Sequence, residues 1–330
     1  MALLEVTDLE VEFPLVRKTL KAIHGISFNL EKGERLGIVG ESGAGKSVAA
    51  FAVLNLLSKP GRISNGKIRF EDVELSGLDA KSMRHIRGNR ISMIFQDPMM
   101  TLNPVLTVGT QMIECLKAHR KISNSDAREL SITKLREVLI PSPENRMKSY
   151  PHELSGGMRQ RVVIAIALLT DPSIIIADEP TTALDVTIQA EIMTLMLDLC
   201  KTKNLGLILI THDLAVVSQV TERILVMYAG RVVEEGLTRD VINNPRHPYT
   251  RGLIKALPQE NKPGERLNQI RGTMPSLGAI PPGCAFNPRC DFADNACELE
   301  VPDLMGADSH RAACIHMDKI PAFSDEEAGK

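Results

Sequence analysis

The most informative stretch of the chain is Gly40-Glu41-Ser42-Gly43-Ala44-Gly45-Lys46-Ser47. Residues 36–39 before it and 48–54 after it are mostly apolar, a pattern that predicts a strand, a tight loop and a helix. In that context the G-x-x-x-x-G-K-[ST] spacing indicates a phosphate-binding loop, because glycines let backbone N–H groups face an anion beside a helix N-terminus. Lys46 can reach the β- and γ-phosphates of a nucleotide, and the Ser47 hydroxyl can ligate Mg²⁺.

Composition bounds the other classes of function. The chain has 330 residues, a formal net charge of −2, 3% aromatic residues and no Trp. Nucleic-acid binders more often combine a basic face with aromatic stacking platforms, so that class is disfavoured. The longest apolar run, residues 162–169, is far shorter than a membrane span, and no secretory signal is visible. We therefore expect a cytosolic protein, or one held at a membrane only through partners.

The apolar pattern predicts an α/β fold. Apolar and polar residues alternate within residues 3–30, which predicts short strands. Further buried strands are predicted at residues 91–95, 174–177 and 207–211. Because strands alternate with helical segments such as 188–200, we expect a parallel sheet covered by helices. Residues 224–228 and 231–234 resemble a closing hairpin around Ala229 and Gly230.

Two segments depart from this alternation. From about residue 108 to 169 the pattern is helical and contains no good strand, which predicts a helical insertion. Beyond about residue 240 the composition shifts toward Pro, Gly and Cys. We therefore predict a nucleotide-binding domain at residues 1–240, with a helical subdomain at about 97–169, and a small Cys-rich domain at 241–330.

Two acidic residues follow a predicted buried strand. The run Ile174-Ile175-Ile176-Ala177 ends in Asp178 and Glu179. Ligands bind at the carboxyl ends of strands in open α/β sheets, so Asp178 fits the role of a Mg²⁺ partner beside the phosphate loop. Glu179 could act as a general base toward a water molecule. The alternative is an ordinary acidic exit from a strand.

A second stretch offers backbone amides to an anion. Leu154-Ser155-Gly156-Gly157-Met158-Arg159-Gln160 precedes an apolar helical run. Ser155 has the character of a helix N-cap, and the two glycines leave the amides accessible. Taken alone, the stretch is better explained as an ordinary capped helix start, and only the other motifs favour an anion site.

Together these motifs resemble the nucleotide-binding subunits of ATP-binding-cassette (ABC) transporters. The matching pieces are residues 40–47, Gln96, residues 154–160, residues 174–179, Ala183-Leu184-Asp185 and His212. The resemblance covers roughly residues 3–240. It implies a P-loop NTPase core of the ABC ATPase type, with an antiparallel β subdomain and a helical subdomain. It also implies a head-to-tail dimer, in which residues 155–157 of one subunit contact the ATP held by the loop of the other.

The resemblance also implies roles for single residues. Glu179 would be the general base, His212 would hold the γ-phosphate, Gln96 would contact Mg²⁺ or the attacking water, and Asp185 would contact the opposite subunit. ATP would be bound by Gly40, Glu41, Ser42, Gly43, Ala44, Gly45, Lys46, Ser47 and Val48. The signature that contacts ATP in trans would comprise Leu154, Ser155, Gly156, Gly157, Met158 and Gln160. Mg²⁺ would be held through Ser47, Gln96 and Asp178.

One position departs from the family pattern. The family usually stacks adenine on an aromatic residue shortly before the strand that enters the phosphate loop. The corresponding neighbourhood here carries Leu20, and Phe13 is the nearest aromatic residue upstream. The group that stacks on adenine is left open.

Three further stretches resemble the dipeptide/oligopeptide/nickel import subfamily. They are residues 96–104, residues 245–250 and the tail around residues 282–290, which is most similar to the D-type ATPase subunit of dipeptide and oligopeptide permeases. The resemblance implies a peripheral ATPase subunit at the cytoplasmic face of the inner membrane that powers peptide uptake. Its partners would be a second ATPase subunit, two transmembrane permease subunits and an extracytoplasmic substrate-binding protein.

Other functions stay open at this point. Nickel, glutathione or another small solute is an alternative cargo. A more distant alternative is a soluble ABC-type ATPase that acts on DNA or ribosomes. DNA-repair relatives insert very long coiled coils between loop and signature, whereas about a hundred residues separate them here, and translation relatives carry two cassettes where this chain has one.

Four of the six cysteines crowd the tail: Cys284, Cys290, Cys297 and Cys314. Four thiolates can hold a structural Zn²⁺ or an iron–sulfur cluster, and the spacing does not decide between them. Resemblance to D-type subunits favours a [4Fe–4S] cluster, with Zn²⁺ or unligated thiols as alternatives. His310 and His316 flank Cys314 and are alternative ligands, although a surface position is favoured for both.

Overall fold

The computed structural model describes residues 2–182, 184–257, 269–307 and 309–323. Ala183, which belongs to one matched motif, thus lies outside the described residues. The chain divides into two units. The first comprises residues 1–30, 35–76 and 210–330, and the second comprises residues 31–34 and 77–209.

The first unit contains an antiparallel sheet. Its strands are β1 (Leu4–Pro14), β2 (Thr19–Leu30), β4 (Arg62–Phe70) and β5 (Val73–Glu74). Their order is β2-β1-β4-β5. In β1 the side chains of Val6 and Leu9 are both buried although they differ in parity. A register shift between them, at Asp8 with φ 47°, is a β-bulge that restores the apolar face.

The same unit contains the strand that enters the phosphate loop. This strand, β3 (Arg35–Val39), pairs in parallel with β9 (Arg223–Tyr228). β9 forms the predicted closing hairpin with β10 (Arg231–Leu237). β10 also pairs with β12 (His310–Ala312), which pairs with β11 (Met305–Ala307). The tail, where the apolar alternation is lost, therefore supplies two short strands to this sheet.

The described helices of the first unit are α1 (Lys46–Val53), α9 (Leu214–Val220), α10 (Thr238–Asn243), α11 (Pro248–Lys255) and α12 (Asn295–Leu299). A 3₁₀ turn lies at Asn287–Arg289. α1 directly follows the glycine-rich loop, so the predicted order of strand, tight loop and helix is confirmed.

The second unit combines buried strands with helices. β6 (Ile91–Ile94) pairs in parallel with β7 (Ile174–Asp178), and β8 (Gly206–Thr211), which begins in this unit, follows β7 in the sheet order. The helices are α2 (Ala80–Ile86), α3 (Pro98–Thr101), α4 (Val108–His119), α5 (Asn124–Glu137), α6 (Pro143–Arg146), α7 (Gly156–Ala167) and α8 (Val186–Lys203). Residues 108–169, all of them described, contain no strand, as the apolar pattern predicts.

Local sequence sets where most helices begin. At the start of six helices a side-chain oxygen of the N-cap residue accepts a backbone N–H of the first turn. The helices are α2, α4, α5, α7, α8 and α9, and their N-cap residues are, in that order, Asp79, Thr107, Ser123, Ser155, Asp185 and Asp213. Such a cap stabilises a helix by about 1 kcal/mol relative to Ala. α1 differs from these six helices, because Gly45 precedes it without a side-chain cap.

Candidate functional site

The phosphate loop depends on glycine conformations that other residues resist. Gly40 has φ 152° and Gly45, which precedes α1, has φ 102°. A Cβ at Gly40 would lie 2.3 Å from the Met227 carbonyl oxygen, and one at Gly45 would lie 2.8 Å from Ile23 Cδ1. The backbone turns tightly into a helix N-terminus that carries no competing carboxylate. This arrangement suits a phosphate group.

Lys46 is held against the loop that precedes it. Its Nζ donates to the carbonyl oxygens of Gly40 at 2.7 Å and Glu41 at 3.1 Å, and the residue is only 5% exposed. The ammonium group is therefore fixed beside the helix N-terminus. The donor set of lysine ammonium and loop amides fits the phosphates of a nucleotide.

The two predicted acidic residues at the end of β7 differ in burial and backbone conformation. Asp178 is the last residue of the strand and is 4% exposed. Glu179 has φ 45°, a left-handed conformation that is unusual for a residue with a Cβ. Its Oε2 accepts hydrogen bonds from Gln96 Nε2 at 3.0 Å and Thr182 Oγ1 at 3.1 Å. The structure thus brings Gln96 and Glu179 together, and it adds Thr182, which the sequence reasoning missed.

The predicted signature stretch forms the start of α7. Ser155 Oγ accepts the Met158 N–H at 3.3 Å, so the predicted N-cap is confirmed. Gly156 and Gly157 are partly exposed in the first turn, where a Cβ at Gly157 would lie 2.8 Å from Ile188 Cγ2. α7 and α8 therefore approach closely at a glycine.

Other predicted residues of the signature region have different surroundings. Leu154 is buried, and its carbonyl oxygen accepts a hydrogen bond from Arg159 Nη1 at 2.7 Å. Gln160 is 1% exposed, and both polar atoms of its side chain lack a hydrogen-bond partner. Asp185 is exposed and caps α8 by accepting the Ile188 N–H at 3.0 Å.

His212 lies in the first unit, between β8 and α9. It is exposed. The next residue, Asp213, caps α9 by accepting the N–H groups of Ala215 at 2.9 Å and Val216 at 3.3 Å. The predicted role of His212 toward a γ-phosphate stays a prediction.

Glu41 has contacts that the sequence reasoning missed. Its N–H donates to the Tyr249 hydroxyl at 2.8 Å. Its carboxylate accepts two hydrogen bonds from Arg289, at 2.7 and 3.0 Å. Both partners lie within stretches that carry the subfamily resemblance, at residues 245–250 and 282–290, but nothing in the spacing indicates that they contact the loop.

The four tail cysteines line one small cavity, together with Phe286 and His316. Burial raises the pKa of the Cys284 and Cys314 thiols, and it raises that of Cys290 to about 11.

Comparison with known families and proteins gives consistent results. Residues 23–182 match the family described as ABC transporter, and residues 233–297 match the C-terminal region of oligopeptide/dipeptide transporters. The dipeptide transport ATP-binding protein DppD of Haemophilus influenzae is 47% identical over 314 residues, which cover 95% of each chain. The Bacillus subtilis protein of the same name is 48% identical over 318 residues, which cover 96% of this chain and 95% of the relative.

Solved structures agree. The ATP-binding cassette MJ0796, as a dimer in a post-hydrolysis state bound to ADP and Pi, matches with a TM-score of 0.64 and 27% identity over 72% of this chain and 99% of that one. The cbiO1 protein of Clostridium perfringens, part of the ABC transporter complex cbiONQ, matches with a TM-score of 0.62 and 28% identity over 73% of this chain and 90% of that one.

The iron–sulfur prediction for Cys284, Cys290, Cys297 and Cys314 is wrong. Neither the names of the relatives nor the descriptions of the matching families refer to such a cluster. Among the described residues, the group of possible ligand atoms that lie within 4.8 Å of one another comes from Asp294, Cys297 and His316. A mixed set of carboxylate, thiol and imidazole does not supply the four thiolates of the predicted cluster. The zinc alternative stays a prediction.

The identity of the relatives and the extent of the match decide the family. No helix among the described residues is both long and apolar enough to cross a membrane. The predicted ABC ATPase fold, with mixed sheets and helices around a phosphate loop, is confirmed. The chain therefore belongs to the ABC transporter family, as an ABC-type ATPase that carries the C-terminal region of oligopeptide/dipeptide transporters.

Proposed function

We propose that this chain is the ATP-hydrolysing subunit of an importer for dipeptides or oligopeptides, and that it works at the cytoplasmic face of the plasma membrane. One observation carries the proposal above all others. Dipeptide transport ATP-binding proteins from three organisms are 46–48% identical to the chain over at least 95% of its length. The match at residues 233–297 extends the likeness into the region that sets this subfamily apart.

ATP would bind at the phosphate loop. The backbone N–H groups of the loop and the N-terminus of α1 would face its phosphates, and Lys46 would contact the β- and γ-phosphates. The positive φ values of Gly40 and Gly45 and the fixed ammonium group of Lys46 support this role. The full set of proposed contacts is Gly40, Glu41, Ser42, Gly43, Ala44, Gly45, Lys46, Ser47 and Val48.

Mg²⁺ would be held by Ser47, Gln96 and Asp178. Hydroxyl, amide and carboxylate oxygens are the ligands that this ion prefers. Gln96 donates from Nε2 to Glu179, which leaves its amide oxygen as the ligand atom. When bound, Mg²⁺ neutralises negative charge on the phosphates.

Glu179 would take the proton of the water that attacks the γ-phosphate. Hydrogen bonds from Gln96 and Thr182 meet on its Oε2, so they fix the orientation of the carboxylate. His212 would hold the γ-phosphate and orient the same water.

The partly exposed start of α7 supports a contact with ATP held by another ATPase subunit. The residues proposed for it are Leu154, Ser155, Gly156, Gly157, Met158 and Gln160, and Asp185 would contact that subunit. We propose that the second ATPase is a different chain. Two permease subunits and an external substrate-binding protein would complete the importer.

The domain organisation belongs to the same proposal. An ATPase domain would span residues 1–240, with a helical subdomain at about 97–169. Residues 241–330 would form a small Cys-rich domain. The separate family match at residues 233–297 supports a distinct C-terminal region.

The role of Glu179 is tested by Glu179→Gln. We expect MgATP binding to persist while turnover falls by about 10²- to 10⁴-fold, because the amide cannot accept the proton of the water. Equilibrium nucleotide binding and steady-state phosphate release measure the two effects. Glu129→Gln, an exposed residue on α5, is the matched control and should leave both unchanged. Undiminished hydrolysis by Glu179→Gln would refute the assignment.

The cargo is tested in the assembled transporter. ATP hydrolysis should rise when the external binding protein is loaded with a dipeptide, and it should not rise with nickel or glutathione. If nickel or glutathione, and no dipeptide, stimulates ATP hydrolysis, the chain belongs to an importer of the same class with a different cargo. Co-purification with ribosomes or DNA instead of permease subunits would overturn the importer proposal.

A further inference from the structure

Arg289 holds the carboxylate of Glu41 with both arms of its guanidinium group. Nη1 donates to Oε2 at 2.7 Å and Nη2 donates to Oε1 at 3.0 Å, the two-point geometry in which Arg binds a carboxylate most strongly. The Arg289 side chain is only 5% exposed, and that of Glu41 is 31% exposed. The ion pair is therefore largely shielded from water, and a buried pair is screened less by solvent and salt than an exposed one.

The guanidinium group is fixed from its other sides as well. Nε donates to the Arg271 carbonyl oxygen at 2.7 Å, and Nη1 also approaches the Tyr228 hydroxyl at 3.3 Å. The charged group lies 5.8 Å from the ring centroids of both Tyr228 and Phe286, within the range of a cation–π contact. The group is thus preorganised for Glu41.

Tyr249 holds the backbone of the same loop residue. Its hydroxyl accepts the Glu41 N–H at 2.8 Å, and the residue is fully buried. Its ring meets Tyr228 at 4.7 Å and Phe286 at 5.4 Å between centroids. The second residue of the phosphate loop is therefore held at both its backbone and its side chain by residues from the C-terminal region.

The charge of Glu41 matters because of its place in the loop. The residue follows Gly40, in the loop proposed to surround the phosphates of ATP. An uncompensated carboxylate there would repel the nucleotide, whereas a carboxylate paired with Arg289 is neutralised. The same contact keeps the carboxylate from accepting the loop amides that phosphate needs.

We propose that Arg289 is a positioning residue for ATP binding, which acts by holding and neutralising Glu41, and that the C-terminal region sets the affinity of the phosphate loop through this contact. The inference rests on the proposed ATP-binding role of the loop. Arg289 closes the 3₁₀ turn Asn287–Arg289 and directly precedes Cys290, so the contact ties the Cys-rich segment to the nucleotide site.

The test is equilibrium binding of MgATP to the full-length chain. Arg289→Ala should weaken binding by about tenfold or more, since it removes two charge-assisted hydrogen bonds and leaves Glu41 unpaired. The effect should fall on KM for ATP, with kcat changed less than twofold. Arg289→Lys should restore part of the affinity, because it keeps the charge and loses the two-point geometry.

Arg271→Ala is the matched control. The Arg271 side chain is 88% exposed, and Arg271 contacts Arg289 through its backbone carbonyl oxygen. Truncation of the Arg271 side chain should therefore leave ATP affinity unchanged. A loss as large as that of Arg289→Ala would mean that any lost positive charge in this segment weakens binding, which would overturn the proposal.

A double-mutant comparison tests whether Arg289 acts on ATP binding through the Glu41 carboxylate. In a Glu41→Gln background, Arg289→Ala should change ATP affinity by less than twofold, because the carboxylate through which Arg289 acts is gone. A loss that stays as large as in the native background would show that Arg289 acts elsewhere. Tyr249→Phe, which removes a single hydroxyl, gives a second test with little risk to folding and should weaken binding by a few-fold.

Hydrogen exchange in the absence of nucleotide separates this inference from the proposed function. The Glu41 amide should exchange faster in Arg289→Ala and in Tyr249→Phe than in the native chain. If the native chain fails to bind ATP, the proposed function fails. If it binds ATP, and neither Arg289→Ala nor Tyr249→Phe changes affinity or exchange, only the positioning role is refuted.

Discussion

α1 and α7 both present an N-terminus to a proposed phosphate site, yet they begin in different ways. α1 starts after Gly45 in a left-handed conformation, with no side-chain cap. α7 starts after Ser155 in an extended conformation, and the Ser155 hydroxyl accepts the Met158 N–H. One start depends on the absence of a side chain, and the other depends on the presence of one.

The two helix starts suit different parts of the proposed nucleotide site. The α1 end is enclosed by its own loop and by the Lys46 ammonium, and Arg289 and Tyr249 fix the loop. The α7 end is partly exposed, and its cap already satisfies one amide. A surface of that kind suits a second contact with a ligand held by another subunit, and the enclosed loop suits the first binding of that ligand.

A substitution in the loop before α1 should have the strongest effect. Gly40→Ala should abolish ATP binding and lower the free energy of unfolding by at least about 2 kcal/mol, because the left-handed φ is strained for alanine and the new Cβ meets a backbone oxygen that cannot move aside. Urea unfolding and nucleotide titration measure both. Gly77→Ala is the control, since its Cβ would meet no atom within 4 Å. Native-like affinity in Gly40→Ala would contradict the enclosed-loop interpretation.

A smaller effect is expected on the α7 side. Ser155→Ala should lower the free energy of unfolding by about 1 kcal/mol, the usual value of a lost cap. Ser123→Ala removes the equivalent cap of α5 and should cost a similar amount. In the assembled transporter only Ser155→Ala should also slow ATP hydrolysis. Equal hydrolysis by the two variants would leave Ser155 with a purely structural role.

The smallest effect is a difference in pH dependence between a helix capped by a carboxylate, α2, and a helix capped by a hydroxyl, α7. Backbone and side-chain hydrogen bonds with Ser82 lower the pKa of Asp79, the cap of α2. Because the folded-state pKa is depressed, the cap contributes fully above the unfolded pKa of about 3.9 and is lost as the pH falls through the folded value. Hydrogen exchange at the start of α2 should therefore rise in acid relative to the start of α7. Equal pH dependence at both helices would contradict this account.

Patterns confined to a short stretch were predictable from the sequence. The phosphate loop, the strand before it and the Ser155 cap each depend on neighbours within a few residues, so composition and spacing carry the information. The acidic exit of β7 was predictable for the same reason. The left-handed turn at Glu179 and the hydrogen bond from Thr182 were not, because Thr182 is one of many hydroxyl residues that follow a strand.

Contacts over long separations were not predictable. Glu41 meets Tyr249 and Arg289 across 208 and 248 positions, and no local pattern encodes such a pairing. Strands of three residues, such as β11 and β12, are too short to show a period of two. The cysteine prediction failed for a related reason, because spacing along the chain does not say which thiol, imidazole or carboxylate atoms converge.

The pairing of β12 with β10 has a consequence for biosynthesis. β10 is complete at Leu237, but its partner begins only at His310. At translation rates of about 5–20 residues per second, β12 is synthesised on the order of ten seconds after β10 is complete. During that interval the nascent chain exposes unpaired backbone groups that another strand could occupy. The segment that contains β12 therefore completes this edge of the sheet late in synthesis, and a chain that lacks it would expose the edge of β10.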